Sequence, residues 1–380
     1  LRILLFTGKG GVGKTTISVA TGAYLASLGK KVIVISVDPA HSLSDALDTE
    51  VPPEPIEIAK NFYAQEVDVY YSVERFWGKL REYLKSLLRW QKIDEIKAEE
   101  LSILPGMEEI SCFLWINKHF EEGCYDTIIV DSAPTGETLR LLSLPDGISW
   151  WVSKFLPIHK KILKIVRPAA RMVTDMPLPE DETYDTLEEL FHQVYNLYYT
   201  LQNPDVSSVR IVTNPEKMVI KETEKAYTYL HLFGFPVDAI VVNKVVSEED
   251  PLFEIQRKYI EYIKRCFEPT PIIMVSNRYE EVIGFDKLRK LGKMIYGERM
   301  PDEVLYKDKP FEITETNSSF ILKILLKNPQ KGKLEVYHKN EDLIIVIGNY
   351  KKHFYLPKAL MNREVKRASL KDSTLEILFQ

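Results

Sequence analysis

The sequence predicts an α/β fold: a doubly wound, mostly parallel sheet carrying helical insertions, followed by a small all-β domain at the C-terminal end. Three observations predict it. Short apolar runs rich in β-branched residues recur between helical stretches, at residues 3–6, 32–37, 127–130, 209–213, 239–242 and 272–275. They lack the two-residue alternation of a half-exposed strand, as expected of strands covered on both faces. A glycine-rich loop joins the first run to a helical stretch at residues 17–28. From about residue 305 the pattern changes to short strands with turns.

The first run delivers the chain into Gly8-Lys9-Gly10-Gly11-Val12-Gly13-Lys14-Thr15, which fits G-x-x-x-x-G-K-[ST] between a strand and a helix. Glycines let such a loop curl so that its N–H groups converge on phosphate oxygens, and the helix N-terminus adds partial positive charge. On this reading Gly8, Gly10, Gly11, Val12, Gly13, Lys14, Thr15 and Thr16 hold ATP. Lys14 reaches the β- and γ-phosphates, and the Thr15 hydroxyl ligates Mg²⁺. A glycine turn without phosphate is the plainer alternative, and the strand–loop–helix context argues against it. A second lysine, Lys9, makes the loop deviant, because it cannot easily serve the same phosphate from its own loop; a solvated loop lysine is its plain reading.

Polar residues stand at the ends of four later runs: Asp38, Asp131, Asn214 and Asn243. In a doubly wound sheet, ligands sit beyond these ends, although Asp and Asn also favour turns there for their own sake. Two of the four begin longer motifs, Asp38-Pro39-Ala40-His41-Ser42-Leu43-Ser44-Asp45 and Asp131-Ser132-Ala133-Pro134-Thr135-Gly136-Glu137-Thr138-Leu139-Arg140. A carboxylate at Asp38 can orient or deprotonate the attacking water, and one at Asp131 can hold Mg²⁺ through water. The Pro and Gly residues suit loops that move when the γ-phosphate leaves.

Helical periodicity dominates two insertions, at about residues 70–120 and 145–202. In the second, Trp151, Phe155, Ile158, Ile162 and Ile165 form a stripe, with Lys154, Lys160, Lys161, Lys164 and Arg167 on other faces and Pro157 and Pro168 interrupting. Met172 and Met176 follow. The stripe fits helix-packing core and a client-binding surface alike, and the pattern does not choose. Beyond a hinge near residues 301–310, strands are expected at 320–326, 333–337, 343–347, 350–356, 365–370 and 375–379, with a two-residue hairpin at Gly348-Asn349. The expected domains are therefore 1–304 and 305–380.

A net charge of −5 gives no general basic field for nucleic acid or an anionic membrane. The three cysteines, Cys112, Cys124 and Cys266, contain no C-x-x-C pair and no recognisable metal-ligand spacing. No uncharged apolar stretch reaches transmembrane length, and the chain enters its first strand at once, so no leader is expected and the cytoplasm is the expected compartment.

The deviant loop, D-P-A-H-S-L-S-D, the run Leu104-Pro105-Gly106-Met107-Glu108-Glu109 and D-S-A-P-T-G-E-T-L-R together resemble the Get/TRC and ArsA family of deviant P-loop ATPases, over most of residues 1–300. The resemblance implies an Mg²⁺-dependent ATPase acting as a homodimer. It implies that Lys9 is the lysine that reaches across the dimer to the partner's nucleotide, Asp38 the catalytic switch I carboxylate, Asp131 the switch II carboxylate on the metal side, and Asn243 the adenine-reading asparagine. It also implies either capture and targeting of hydrophobic, tail-anchored-like protein segments or energy coupling for an arsenite-type transporter, with a membrane receptor or transporter as partner. A nucleotide-switched positioning or metallocluster protein is a third possibility, disfavoured by the missing cluster cysteines. The chain departs from the family in lacking the zinc-binding C-x-x-C pair, and from the arsenite motor in having one P-loop and no cysteine triad. Its last 60 or so residues resemble an α-crystallin domain: Ala368 to Leu375 match A-x-x-x-x-G-x-L with Ser373 in the glycine place, after Tyr355-Leu356-Pro357. An unrelated β-sandwich is the alternative. A tail of this kind resembles the branch of the family found in archaea, bacteria and plastids.

Overall fold

A computed structural model describes residues 1–38, 42–104, 106–150, 158, 161–162, 177–179, 181–307, 309–316, 319–326, 334–339, 342–348, 350–355, 360, 363–371 and 373–380. Its larger sheet contains β1 (Arg2–Thr7), β2 (Val32–Ser36), β3 (Ile56–Ala59), β4 (Phe62–Glu66), β5 (Thr127–Asp131), β6 (Ser207–Thr213), β7 (Val237–Val245) and β8 (Ile272–Ser276). The order is β3-β4-β2-β5-β1-β6-β7-β8, parallel at every pairing except β3 with β4. The fold is thus the doubly wound α/β sheet expected, with β1 central and its carboxyl end beside those of β5 and β6. Residues of β1, β2 and β5 are buried on both faces, which is why their runs show no alternation.

Two strands escaped the sequence pattern, β3 and β4. They form a hairpin across Lys60-Asn61, where Asn61 adopts φ of 65°, a left-handed conformation that asparagine tolerates well. β4 carries Gln65 and Glu66 at buried positions, so its apolar signal is weak.

Helix α1 (Lys14–Ser27) follows the glycine loop and α2 (Ser42–Leu47) follows Asp38. The first insertion folds into α3 (Val69–Trp90), α4 (Glu95–Leu101) and α5 (Met107–Glu122). The second begins with α6 (Thr135–Trp150) and ends with α7 (Asp181–Leu201). Of the apolar stripe between them, Ile158 and Ile162 are 58% and 53% exposed. Trp151, Phe155 and Ile165, Lys154, Lys160, Lys164 and Arg167, both prolines and both methionines lie outside the described residues. Helices α8 (Lys217–Leu232), α9 (Phe253–Phe267) and α10 (Phe285–Tyr296) complete the α/β part.

The C-terminal strands are antiparallel throughout. One sheet runs β14 (Val365–Lys371), β15 (Thr374–Phe379), β10 (Ser319–Leu325), β9 (Phe311–Thr316), and the other runs β11 (Leu334–Lys339), β12 (Asp342–Ile347), β13 (Tyr350–Tyr355). β9 lies just beyond the expected hinge, where no strand is expected from the sequence; its residues are all exposed, so no buried face marks it. Leu322, Ile324, Leu343, Ile345, Ile377 and Phe379 form the core, joined by Leu232 of α8. Ser373 has φ of 64°, the left-handed conformation that favours the glycine it replaces. Asn349, Leu356, Pro357 and Asp372 lie outside the described residues. The β part also meets α7, because the buried Lys352 of β13 donates to the Tyr198 hydroxyl at 2.6 Å and sits over the Tyr198 and Phe233 rings.

Candidate active site

The loop at residues 8–15 emerges from the carboxyl end of β1. Gly8 and Gly13 are dictated by their surroundings: a Cβ on Gly8 would lie 2.2 Å from the Val212 carbonyl oxygen, and one on Gly13, which has φ of 95°, would lie 2.5 Å from Asn243 Nδ2. Gly10 and Gly11 face open space. The Asn243 amide donates to the Val12 carbonyl at 2.8 Å, and Lys244 Nζ donates to the Gly11 carbonyl at 3.0 Å. A planar trans peptide points its C=O and the following N–H in opposite directions. Fixing these two carbonyls toward β7 therefore turns the Val12 and Gly13 N–H groups away from it, free of the brace that holds the loop.

Lys14 is buried at 7% exposure, whereas the Lys9 side chain is 39% exposed and its Nζ is 3.9 Å from the Glu222 carboxylate on α8. The two lysines of the motif thus face different surroundings. Thr15 Oγ1 lies 3.0 Å from Ser42 Oγ, the first residue of α2, which brings the Asp38 motif to the start of α1. Asp38 itself stands half-buried two residues beyond β2, its N–H donating to Ser36 Oγ at 3.4 Å. Pro39, Ala40 and His41 lie outside the described residues.

Asp131 is fully buried, in register with Phe6 of β1 and Ser36 of β2. Among the described residues neither of its carboxylate oxygens has a hydrogen-bond partner. Burial pushes the carboxyl up to about 6, against the opposing pull of the nearby Thr15 hydroxyl, the Lys14 ammonium and the Ser18 hydroxyl. A buried carboxylate without a well-formed hydrogen bond fits a hard, oxygen-seeking divalent cation or its bound water, and the Thr15 hydroxyl supplies a neighbouring oxygen. The rest of the Asp131 motif is tied to β1: Ser132 Oγ donates to the Phe6 carbonyl at 2.6 Å and the Thr135 N–H to the Gly8 carbonyl at 3.2 Å. Asn214, at the end of β6, is 5% exposed, and its Oδ1 also has no partner among the described residues.

The run at residues 104–109 joins this edge as well. Gly106 caps α5 with φ of 96°, and Glu109 pairs with Arg140 of α6 at 3.0 Å. Glu108, Cys112, Ala133, Glu137 and Thr138 help line a cavity of about 280 Å³ there. Burial, then Glu109 and Glu137, hold the Glu108 carboxyl above the usual range. Pro105 lies outside the described residues.

Three residues of this edge were not foreseen. Lys244 directly follows a predicted site residue and could have been flagged as a second cation at a strand end. Ser42 lies inside the Asp38 motif, and its contact with Thr15 depends on α2 packing at the start of α1, which the sequence pattern does not show. Glu66 ends a strand that the pattern missed.

Residues 1–297 match the family model of the anion-transporting ATPases, and residues 317–379 that of an HSP20-like domain found in ArsA. The chain is 41% identical, over 99% of its own length and 99% of the relative's, to a protein of Aquifex aeolicus named putative arsenical pump-driving ATPase 1. It is 36% identical to the putative arsenical pump-driving ATPase of Chlorobaculum tepidum, covering 100% of this chain and 96% of that one. Over 78% of its length it is 27% identical to ATPase ASNA1 homolog 2 of Paramecium tetraurelia, 93% of which is covered.

Proposed function

This chain belongs to the anion-transporting ATPase family and is an ATPase, and on that premise we propose that it works as a homodimer whose nucleotide state gates the capture of hydrophobic protein segments. The observation that carries the reading is the contrast between the two lysines: Lys14 is buried in its own loop, while Lys9 lies on the outside. Lys9 is then the charge delivered to the nucleotide of a second copy, where a cation of this kind contributes about 10³ to 10⁵ in rate in other NTPases. Gly8, Gly10, Gly11, Val12, Gly13, Lys14, Thr15 and Thr16 hold the phosphates, Asn243 reads the adenine, and Asp38 orients the attacking water. Thr15 and Asp131 would hold Mg²⁺, which supplies neutralisation of the charge between the β- and γ-phosphates.

Residues 1–304 form the ATPase unit and 305–380 a β unit, which α7 and α8 meet. The insertions carry the client surface. In support, Ile158 and Ile162 of the stripe are exposed rather than packed as core, and α6 starts directly from the Asp131 motif, so a change at the γ-phosphate acts on that insertion mechanically. No described helix is long and apolar enough to cross a membrane; a client with a transmembrane helix would lie in the groove that two copies form. The test is crosslinking of a photo-reactive transmembrane peptide in the ATP, ADP and nucleotide-free states. Labelling within residues 145–202 that depends on nucleotide is expected, and labelling elsewhere or independent of nucleotide rejects the gated groove.

The printed names of the bacterial relatives favour a second reading, an energy-coupling subunit for an arsenite-type transporter. Among the described residues no cluster of three or more His, Cys, Asp or Glu side chains is arranged to hold a metal. Cysteine-dependent stimulation of hydrolysis by arsenite would favour this second reading over the first.

A further inference from the structure

Glu66 closes β4 at 5% exposure, in parallel register with Ser36, two residues before Asp38. Its Oε1 accepts the backbone N–H groups of Leu43 and Ser44, at 3.0 and 2.9 Å, and its Oε2 accepts the Ser44 hydroxyl at 2.9 Å. Ser44 Oγ in turn accepts the Val51 N–H at 3.0 Å, so the carboxylate fixes both the start and the exit of α2. The first N–H groups of a helix have no partner within it, and here a side chain from a neighbouring strand supplies one. Ser42, immediately before the two bonded amides, touches the Thr15 hydroxyl.

We propose that Glu66 is a positioning residue for ATP hydrolysis: by anchoring Leu43 and Ser44 it holds the start of α2, where Ser42 meets the Thr15 hydroxyl, and so steadies the Asp38 motif, whose other end is held by β2, against the P-loop. A displacement of a reacting group by about 1 Å can cost about 100-fold in rate. The nucleotide itself is held by the loop at residues 8–15, which Glu66 does not contact through any of these bonds. Loss of Glu66 therefore acts on turnover and not on affinity. The proposal rests on the assignment of Asp38 to the attacking water.

The test compares Glu66→Ala, Glu66→Gln and Asp38→Asn in the full chain, with kcat referred to sites that bind nucleotide. Glu66→Ala is expected to lower kcat about 10- to 100-fold with KM for ATP changed less than about threefold. Glu66→Gln, whose carbonyl oxygen still accepts both amides while its NH₂ can donate to Ser44, restores most of the rate. Hydrogen exchange gives the second readout: amides of residues 43–48 lose protection in Glu66→Ala and keep it in Glu66→Gln, while those of β1 and β5 are unchanged in both. Wild-type kcat in Glu66→Ala with a slow Asp38→Asn overturns the role of Glu66 alone. Equal loss in Ala and Gln, or loss of protection throughout the sheet, also overturns it. Wild-type kcat in Asp38→Asn overturns the reading of Asp38 and the proposal with it.

Discussion

Asp131 and Glu66 end the two strands that flank β2, each in register with Ser36, and both are buried, at 0% and 5% exposure. Glu66 is met by two backbone amides and a hydroxyl. Neither oxygen of Asp131 has a well-formed hydrogen bond among the described residues, and burial pushes its carboxyl up to about 6 although the Thr15 and Ser18 hydroxyls and Lys14 oppose the shift. Two carboxylates at similar depth in one sheet thus differ in what the chain offers them: Glu66 has three well-formed hydrogen bonds and Asp131 none among the described residues. The difference separates scaffold from site: a buried anion satisfied by the chain holds a segment in place, whereas one left without well-formed hydrogen bonds is held at a cost that a bound cation can offset.

The largest expected effect tests what restrains Asp131. Lys14→Ala removes a cation that opposes the upward shift and takes from the loop the charge aimed at the β- and γ-phosphates. Nucleotide affinity, read by calorimetry, should fall about 100-fold or more, the equivalent of about 3 kcal/mol. Affinity like that of the parent would reject the P-loop assignment.

Next comes a pair of stability changes of opposite sign. At pH 7.5, Asp131→Asn removes a buried charge whose desolvation its neighbours only partly offset and should stabilise the nucleotide-free protein, on the order of 2 to 3 kcal/mol, while slowing hydrolysis. Glu66→Ala leaves two amides without a partner and should destabilise it by about 1 to 3 kcal/mol. Chemical denaturation measures both. Destabilisation by both substitutions would erase the distinction between the two carboxylates.

The same contrast has a pH signature. The folded-state value of Asp131 lies above its ordinary 3.8, so its contribution to stability is fully present below about pH 4 and is lost as the pH rises through about 6. Denaturation of the parent and of Asp131→Asn across pH 4 to 7 should therefore converge at the acid end and diverge toward neutrality. Parallel curves would mean that Asp131 titrates as an ordinary carboxylate.

The smallest effect concerns the thiols. Burial, with Glu108 and Glu109 adding to it, pushes the Cys112 thiol far up, so it is not a thiolate at neutral pH. Replacing Cys112, Cys124 and Cys266 by Ser should leave ATPase activity within about twofold, with no arsenite stimulation in the parent. Loss of an arsenite response on that replacement would instead favour the transporter reading.

Much of this edge is legible in the sequence, because the chemistry there is local. The glycine loop, Asp38, Asp131 and Asn243 each directly follow an apolar run long enough to read as a strand. Glu66 was not legible. It acts on α2, more than twenty residues earlier in the chain, from a strand whose buried positions include Gln65 and Glu66 itself, and only the Asn61 turn hinted at a hairpin. The brace on the loop was half legible: Asn243 was expected at the site, but its bond to the Val12 carbonyl depends on β7 lying two strands from β1. In the C-terminal sheets, buried alternation marked β10, β12 and β15, while β9, exposed along its length, carried no such mark.

Lys9, whose only ion pair among the described residues is a 3.9 Å contact with the half-exposed Glu222, is the second lysine of the motif, and the central claim is that the nucleotide of a second copy receives its charge. The direct measurement mixes Lys9→Ala and Asp38→Asn chains in equal amounts and follows ATP hydrolysis once heterodimers have formed. In a heterodimer, one site then combines an intact Asp38 with the partner's Lys9 and the other site has neither, so the mixture should recover about a quarter of the parent rate from two inactive chains. If heterodimers form and the rate stays at that of the separate variants, Lys9 acts within its own chain or not at all, and the composite site is contradicted.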